Sequence, residues 1–489
     1  LPAEHTAELQ EQQTTRREMG IIFTMLVATF TVILNETIMN VALPKLMVEL
    51  QIDASTAQWL TTVFMLVMAV LIPTTGFLMQ RFTTRTLFLA AMGVFTLGSV
   101  VAGLAPSFAV LLVGRILQAS GTALMLPLLT TTILALIPPH RRGAMMGTVS
   151  IVISVAPAIG PTISGLIVQS LSWRYLFFFV VPIAVGVLAY AARNLTNVGE
   201  RSAATLDLPS VLLSALGFGG LVYGLTGSGE GGGWGGVSVL GIGLFCLCIF
   251  VWRQLTLSSP LLDLRAFRYP MFRLSVALIM LVMMALFASA LLLPIYLQTI
   301  RKFTPLQTGL LLLPGGVLMG AASPLIGRLF DRYGPRALVS AGASLLVLAL
   351  WRFTALEPDT SVPTLLALHI GFNSGLALLF TPIFATGLNQ LPRSLYAHGS
   401  AISSTLQQVA GAMGTALLVT VMTTSAQAHA AAGGPSGTPL QSLNAGLHSA
   451  FGVAAGVAVL ALILTLFIRR SSPPEEPGAE QSQPAFSAH

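Results

Sequence analysis

Glu36 lies well inside a long apolar segment, whereas every other carboxylate of the chain sits in a tail, in a loop or at a segment end. The segment around it, Gly20 to Pro44, is long enough to cross a bilayer. An ionised carboxylate facing lipid near its middle would be costly, so Glu36 must face protein or water. Burial favours the neutral form of a carboxyl, and a membrane acid that gains and loses a proton near neutral pH is a natural proton carrier. The plainer alternative is a permanently protonated acid that ties two helices together by a hydrogen bond. Arg115, inside the apolar run Val113 to Ala123, needs a partner, polar lining or water for the same reason. Asn40 is four residues from Glu36 on the same helix face, and Gln118 is one turn from Arg115. Glu36, Asn40, Arg115 and Gln118 are therefore expected to form one polar track. In a later span His369 and Asn373 share a face at a spacing of four; an intramembrane His could titrate, and hydrogen bonding to a neighbour is the plainer reading. Met280, Met283, Met284 and Phe287, with Phe380 and Phe384, offer soft walls to a lipophilic ligand, or simply pack.

The elements that must position these residues follow from composition. Hydrophobic residues make up 54% of the 489 and charged ones 8%, and the mean hydropathy is +0.83, which specifies a polytopic membrane protein. Roughly 20 apolar residues span the hydrocarbon core, and the chain divides into about fourteen such runs, from 20–44 to 448–468. The runs are continuous rather than alternating, which favours helices over a barrel. The expected class is an all-α polytopic membrane protein.

The net charge of +7 suggests an acidic partner until position is considered. If the spans alternate, Arg16, Arg17, Arg81, Arg85, Arg141, Arg142, Arg201, Arg265, Arg268, Arg332, Arg336, Arg393, Arg469 and Arg470 all fall on one side. The other side holds chiefly Lys45, Arg174, Arg301 and Lys302. By the positive-inside rule both termini are cytoplasmic; the basic balance is topology, and no nucleic-acid partner is expected. Cys246 and Cys248 lie in an apolar run, which argues against a disulfide framework or a thiolate metal site. The stretch Gly227 to Gly236 carries glycines at nucleotide-loop spacing, yet no strand precedes it, and it reads as a flexible loop. No Walker loop, no HExxH, no paired carboxylates and no Ser/His/Asp cluster occur in the spans, so neither an ATP site nor an intramembrane enzyme is supported.

Two stretches repeat: GFLMQRFTTR (Gly76–Arg85) after the second span and GRLFDRYGPR (Gly327–Arg336) after the tenth. They imply homologous halves. The expected plan is a tail at 1–19, a six-helix bundle at 20–194, two inserted spans with linkers at 195–270, a second six-helix bundle at 271–470 and a disordered tail at 471–489. Pro157, Gly160, Pro161 and Gly165 should kink the fifth span and let it pack closely on a neighbour. Asp331 can accept from helix N-terminal amides or an arginine, a contact made in one conformation and broken in another.

These residues carry a resemblance. GRLFDRYGPR resembles the cytoplasmic loop motif of the major facilitator superfamily, VGRILQASGTA its fourth-helix arginine motif, and APAIGPTISG (Ala156–Gly165) the fifth-helix motif of its proton antiporters. LNETIMNVALP (Leu34–Pro44) and WRYLFFFVVPI (Trp173–Ile183) resemble motifs of the fourteen-span drug:proton antiporter family, and the sequence is most similar to the branch associated with lincomycin-type resistance. Three positions depart from the pattern. Asn35 stands where most of the family has an aspartate, so the carboxylate of Glu36 is turned by about 100° around the helix. Gln80 replaces the usual aspartate of the first loop, which weakens a charge-based gate there, and Val180 replaces an asparagine. The resemblance implies a major facilitator fold with Gly76, Arg81, Pro157, Gly160, Pro161, Gly327, Asp331, Arg332 and Gly334 as its conformational motifs. It implies proton coupling through Glu36, Asn35 and Arg115, with Arg115 helping to relay or release the proton. Asn40, Gln118, His369, Asn373, Met284 and Phe380 are then the expected cavity residues. The function expected is proton-driven export of lipophilic compounds, cationic ones among them, by a monomer in the cytoplasmic membrane, with the proton as coupling ion, no cofactor, and lipids around it. A dedicated exporter of an endogenous lipid or metabolite is the alternative.

Overall fold

The computed structural model describes residues 2–52, 54–138, 141–198, 207–227, 234–258, 260–433 and 439–470; residues 2–17, 40, 41, 44, 54, 55, 58, 226, 227, 234, 235, 305, 432 and 433 are described through their backbone only. The two tails and the glycine-rich loop expected from the sequence lie wholly or partly outside the described residues. Those described form α1 (Pro2–Glu49), α2 (Ala54–Leu71), α3 (Thr75–Arg81), α4 (Thr84–Gly103), α5 (Phe108–Leu136), α6 (Arg142–Ser170), α7 (Arg174–Asn194), α8 (Leu208–Gly227) and α9 (Trp234–Thr256). The chain continues with α10 (Pro270–Ile295), α11 (Pro305–Tyr333), α12 (Pro335–Phe353), α13 (Val362–Asn389), α14 (Tyr396–Gly433) and α15 (Pro439–Thr465). A 3-10 turn, Ile72–Thr74, joins α2 to α3 as one span, and fourteen spans among the described residues are long and apolar enough to cross a membrane. α1–α7 make one six-span bundle and α10–α15 the other; α8 and α9 lie between them in sequence.

Local sequence sets the helix ends. Thr304 and Gln307 form a reciprocal capping box at the start of α11 (3.2 and 2.9 Å), which satisfies two amides that the helix itself cannot. Ser361 and Thr83 cap α13 and α4 without the reciprocal bond, accepting from the amides of Thr364 and Thr86. A single residue, Gly334, separates α11 from α12, and its φ of 82° lies where a side chain is strained. That accounts for the glycine in GRLFDRYGPR; the matching turn in the first bundle uses Phe82 and Thr83 with ordinary angles.

Helices that share lipid-like surroundings have little hydrophobic reason to associate, so close packing must hold them. The third and fourth spans of each bundle cross at small residues. A Cβ on Gly98 would come 2.7 Å from the Gln118 nitrogen, and one on Gly342 would come 2.8 Å from the Gly375 carbonyl. α6 and α11, from different bundles, pack along their length: Gly147 lies against Ser323 and Pro324, Gly320 against Val155, Gly316 against Ala158 and Gly309 against Thr162. α8 packs on α2 and α14, and α9 lies outside it. Leu212, Leu216, Phe245 and Trp252 of this pair are exposed, as a lipid-facing surface requires.

At the end of the molecule opposite the arginine-rich face, Lys45 donates to the carbonyls of Val168 and Leu171 at the end of α6 (2.8 and 2.9 Å). The indole of the fully buried Trp173 donates to Glu49 at 2.8 Å, and Arg174 lies 4.3 Å over the Trp173 ring while reaching the Ala105 carbonyl. The WR pair thus ties the ends of α1, α4 and α6 to α7. Val180 is buried in the apolar core.

Candidate functional site

α5 carries Arg115 into the first bundle, where it is 1% exposed. Its Nε donates to the Leu60 carbonyl of α2 (3.3 Å), its Nη1 to Gln118 Oε1 (2.9 Å), and the guanidinium lies 4.2 Å over the Phe64 ring. Gln118 passes the contact on: its Nε2 donates to Ser99 Oγ of α4 (2.9 Å) and to Asn35 Oδ1 of α1 (3.4 Å). The orientation of the Gln118 amide is fixed by Arg115, and that of Asn35 by Gln118. Asn35 Nδ2 is left buried without a partner.

Asn35, not Glu36, is therefore the α1 residue bonded into the arginine cluster. Glu36, one position further around the helix, is partly exposed and interacts with Arg115 through space, with no ion-pair contact between them among the described residues. A carboxylate at a distance from a clamped guanidinium can exchange a proton without breaking that clamp. The side chain of Asn40 lies outside the described residues. Gln118 is fully buried, and its polar atoms are taken up by the cluster.

The fifth-span motif packs on α1 beside Glu36. Gly160 of α6 lies against Thr37, in a space that a Cβ would fill, and Ser164 donates to the Ile38 carbonyl at 2.7 Å. Pro157 and Pro161 sit inside the helix on either side of this approach. α6 thus contacts α1 at Thr37 and Ile38, next to Glu36, and α11 of the other bundle at once.

In the second bundle His369 Nε2 meets the Leu312 carbonyl of α11 at 3.1 Å, and Asn373 Nδ2 donates to the His369 carbonyl at 2.9 Å. Both are buried beside Gly315, which ties α13 to α11. Phe380 is buried in the core, and Met284 packs on Gly414 of α14.

On the arginine-rich face the bundles meet through polar contacts. Asp331 accepts from the amides of Gly143 and Ala144 at the start of α6, both at 3.0 Å, a favourable place for a carboxylate because those amides have no partner in their own helix. Gly327 packs on Gly143, while Arg332 and Arg81 are exposed at helix ends. Gly76 faces His398 and the Leu261 carbonyl. Gln80 lies 2.7 Å from His398 Nε2 of α14, and His398 Nδ1 accepts from the Asp263 amide at 3.3 Å. Burial opposes ionisation of Asp263, but the hydrogen bonds from Arg265 outweigh it and hold the carboxyl below the ordinary range. Thr130 and Ser400 share a hydrogen bond across the same seam, and Arg142 reaches Asn389 and Tyr396 of the second bundle.

The sequence reading did not single out Ser99, Asn389, Tyr396 or His398 and read Arg142 only as topology. Ser99 and Tyr396 carry no sequence signal beyond their types.

Residues 25–415 match the Major Facilitator Superfamily. The chain is 43% identical to the Lincomycin resistance protein LmrB of Bacillus subtilis, with 96% of this chain and 98% of that protein covered. It is 31% identical to the Multidrug resistance protein Stp of Mycobacterium tuberculosis, over 80% of this chain and 74% of the relative. Among solved structures, the proton:xylose symporter XylE matches 93% of this chain and 96% of its own at a TM-score of 0.64 and 15% identity. The human organic anion transporter MFSD10 matches 92% and 99% at 0.61 and 15%.

Proposed function

The chain belongs to the major facilitator superfamily, and from that premise we propose that it is a proton-coupled exporter of lipophilic compounds that works by alternating access. The observation that carries the reading is the placement of Glu36: a partly exposed carboxyl inside a membrane bundle, within electrostatic reach of a fully buried arginine whose own hydrogen bonds are met elsewhere. Such an acid can hold either a proton or a cationic ligand. Two relatives named for lincomycin and multidrug resistance supply the first compounds to test.

In this reading the arginine-rich face is cytoplasmic, as the positive-inside rule favours, both termini are inside, and the protein works as a monomer in the cytoplasmic membrane. The polar contacts of Asp331, Gln80, Thr130 and Arg142 then close the inner face. On this reading, with the inner face closed, Glu36 answers to the outside. A proton arriving from there neutralises Glu36 and weakens its hold on a cationic substrate, which leaves outward; loss of the proton inside resets the site. Each charge moved across 100 mV supplies roughly 2.3 kcal/mol.

The test is uptake by inverted vesicles of lincomycin and a panel of lipophilic dyes, with and without an imposed proton gradient. Gradient-driven accumulation of several of them supports the proposal. Gradient-independent movement would remove proton coupling, and failure with every drug in a competent preparation would favour a dedicated endogenous substrate.

A further inference from the structure

Arg142 is 4% exposed, and none of its hydrogen bonds goes to a carboxylate. A buried cation needs lone pairs in place of water. Two come from its own bundle: Nε donates to the Ile137 carbonyl (3.0 Å) and Nη2 to the Leu134 carbonyl (2.7 Å) at the end of α5, where a helix leaves carbonyls unpaired and favours positive charge. Nη1 reaches into the other bundle, to Asn389 Oδ1 at the end of α13 (3.2 Å) and to the Tyr396 hydroxyl at the start of α14 (3.0 Å). The guanidinium also lies 5.1 Å over the Tyr396 ring.

The internal repeat makes this contact informative. Arg142-Gly143 opens the fifth span of the first bundle, and His398-Gly399 stands in the first turn of the fifth span of the second. Asp331 reaches the amides just after Arg142, and Gln80, its counterpart in the repeat, reaches the ring of His398. The first loop has no carboxylate, so its own contact across the seam is neutral. Charge-assisted hydrogen bonds are about twice as strong as neutral ones, and the charge on this side comes from Arg142.

We infer that Arg142 is a gate residue, a bolt anchored on the end of α5 that closes the arginine-rich face by engaging Asn389 and Tyr396, in place of the carboxylate contact that Gln80 cannot make. The neutral socket matters. An acid there would form a buried ion pair that is hard to separate, whereas an amide and a phenol let the guanidinium leave for water each time the face opens. The inference rests on the alternating-access reading.

The experiment uses the full-length protein with Cys246 and Cys248 replaced by Ser and a reporter, Ser403→Cys, placed at a buried position of α14. A membrane-impermeant thiol reagent is applied from the arginine-rich face without substrate or gradient, so a negative result counts against the bolt and leaves the export reading intact. Arg142→Gln should raise the modification rate about tenfold, as expected for a two-state equilibrium that loses both charge-assisted contacts across the seam. Tyr396→Phe and Asn389→Leu should each raise it about threefold, and adding Tyr396→Phe to Arg142→Gln should raise it no further, because both remove the same contact. Unchanged rates, or rates that multiply in the double variant, overturn the inference. Tyr396→Phe removes one oxygen and keeps the ring, so it decides the matter if Arg142→Gln does not reach the membrane.

Discussion

Replacing Glu36 with Gln keeps the size and hydrogen bonding of the side chain and removes its proton exchange. Gradient-driven efflux should vanish while insertion and amount in the membrane stay at parental levels; efflux that still follows the proton gradient would take Glu36 out of the coupling. Glu36 is also the carboxyl that a lipophilic carbodiimide should modify, and bound substrate should protect it if the two share a site. Arg115→Lys keeps the charge but cannot serve the Leu60 carbonyl, Gln118 and the Phe64 face together, so transport about tenfold below parental is expected from a loss near 1.4 kcal/mol. Both residues were legible in the sequence because a charge in an apolar helix needs a reason. The division of labour between Asn35 and Glu36 was only half legible: the register shift of one residue could be read, but not which side chain faces Gln118. Arg141 and Arg142 are adjacent and chemically identical, and only tertiary packing turns one outward and buries the other.

The fifth-span motif can be tested as an element. Gly160 leaves no room for a methyl group beside Thr37, so Gly160→Ala should push α6 off α1 next to Glu36, an overpacking typically worth about 1–3 kcal/mol. Thr37→Ala gives back the space and removes only a hydroxyl that bonds within its own helix. The double variant should recover most of the transport that Gly160→Ala loses, measured by efflux at equal protein amounts; no recovery would mean that Gly160 acts through backbone flexibility instead. The prolines and glycines of the fifth span were readable from the sequence, but the helix they approach was not, since that depends on how the bundle closes. The inserted pair offers a pH test. Arg253 hydrogen-bonds Asp207 through both carboxylate oxygens (2.7 and 2.8 Å) and holds its carboxyl at about 2. A depressed carboxyl adds stability above its ordinary value near 3.9 and loses it as pH falls toward the folded value. Asp207→Asn should therefore lower the melting temperature at pH 6–7, and the gap to the parent should close between about pH 4 and pH 2. A gap that persists at pH 2 would assign the effect to packing.

At the scale of the whole molecule, the fourteen spans and the two homologous halves were legible because lipid permits few architectures and the loop motif repeats. What hydropathy cannot carry is the state of closure, because opening and closing exchange one set of polar contacts for another without changing which segments are apolar. The seam at the arginine-rich face is where the state is written, and it can be locked. Thr130 of α5 and Ser400 of α14 share a hydrogen bond between their hydroxyls, so cysteines at the two positions would face each other across the seam. With Cys246 and Cys248 replaced, the pair Thr130→Cys and Ser400→Cys should form a disulfide on mild oxidation that holds the two bundles together at this face. If transport requires them to part here, oxidation should stop efflux and reduction should restore it, while each single cysteine responds to neither treatment. Binding of substrate from the opposite face should survive the lock if Glu36 is reached from that side. Full transport by the oxidised, cross-linked protein would mean that the seam never opens during the cycle, and a rocking motion of the two bundles about α6 and α11 would have to be abandoned.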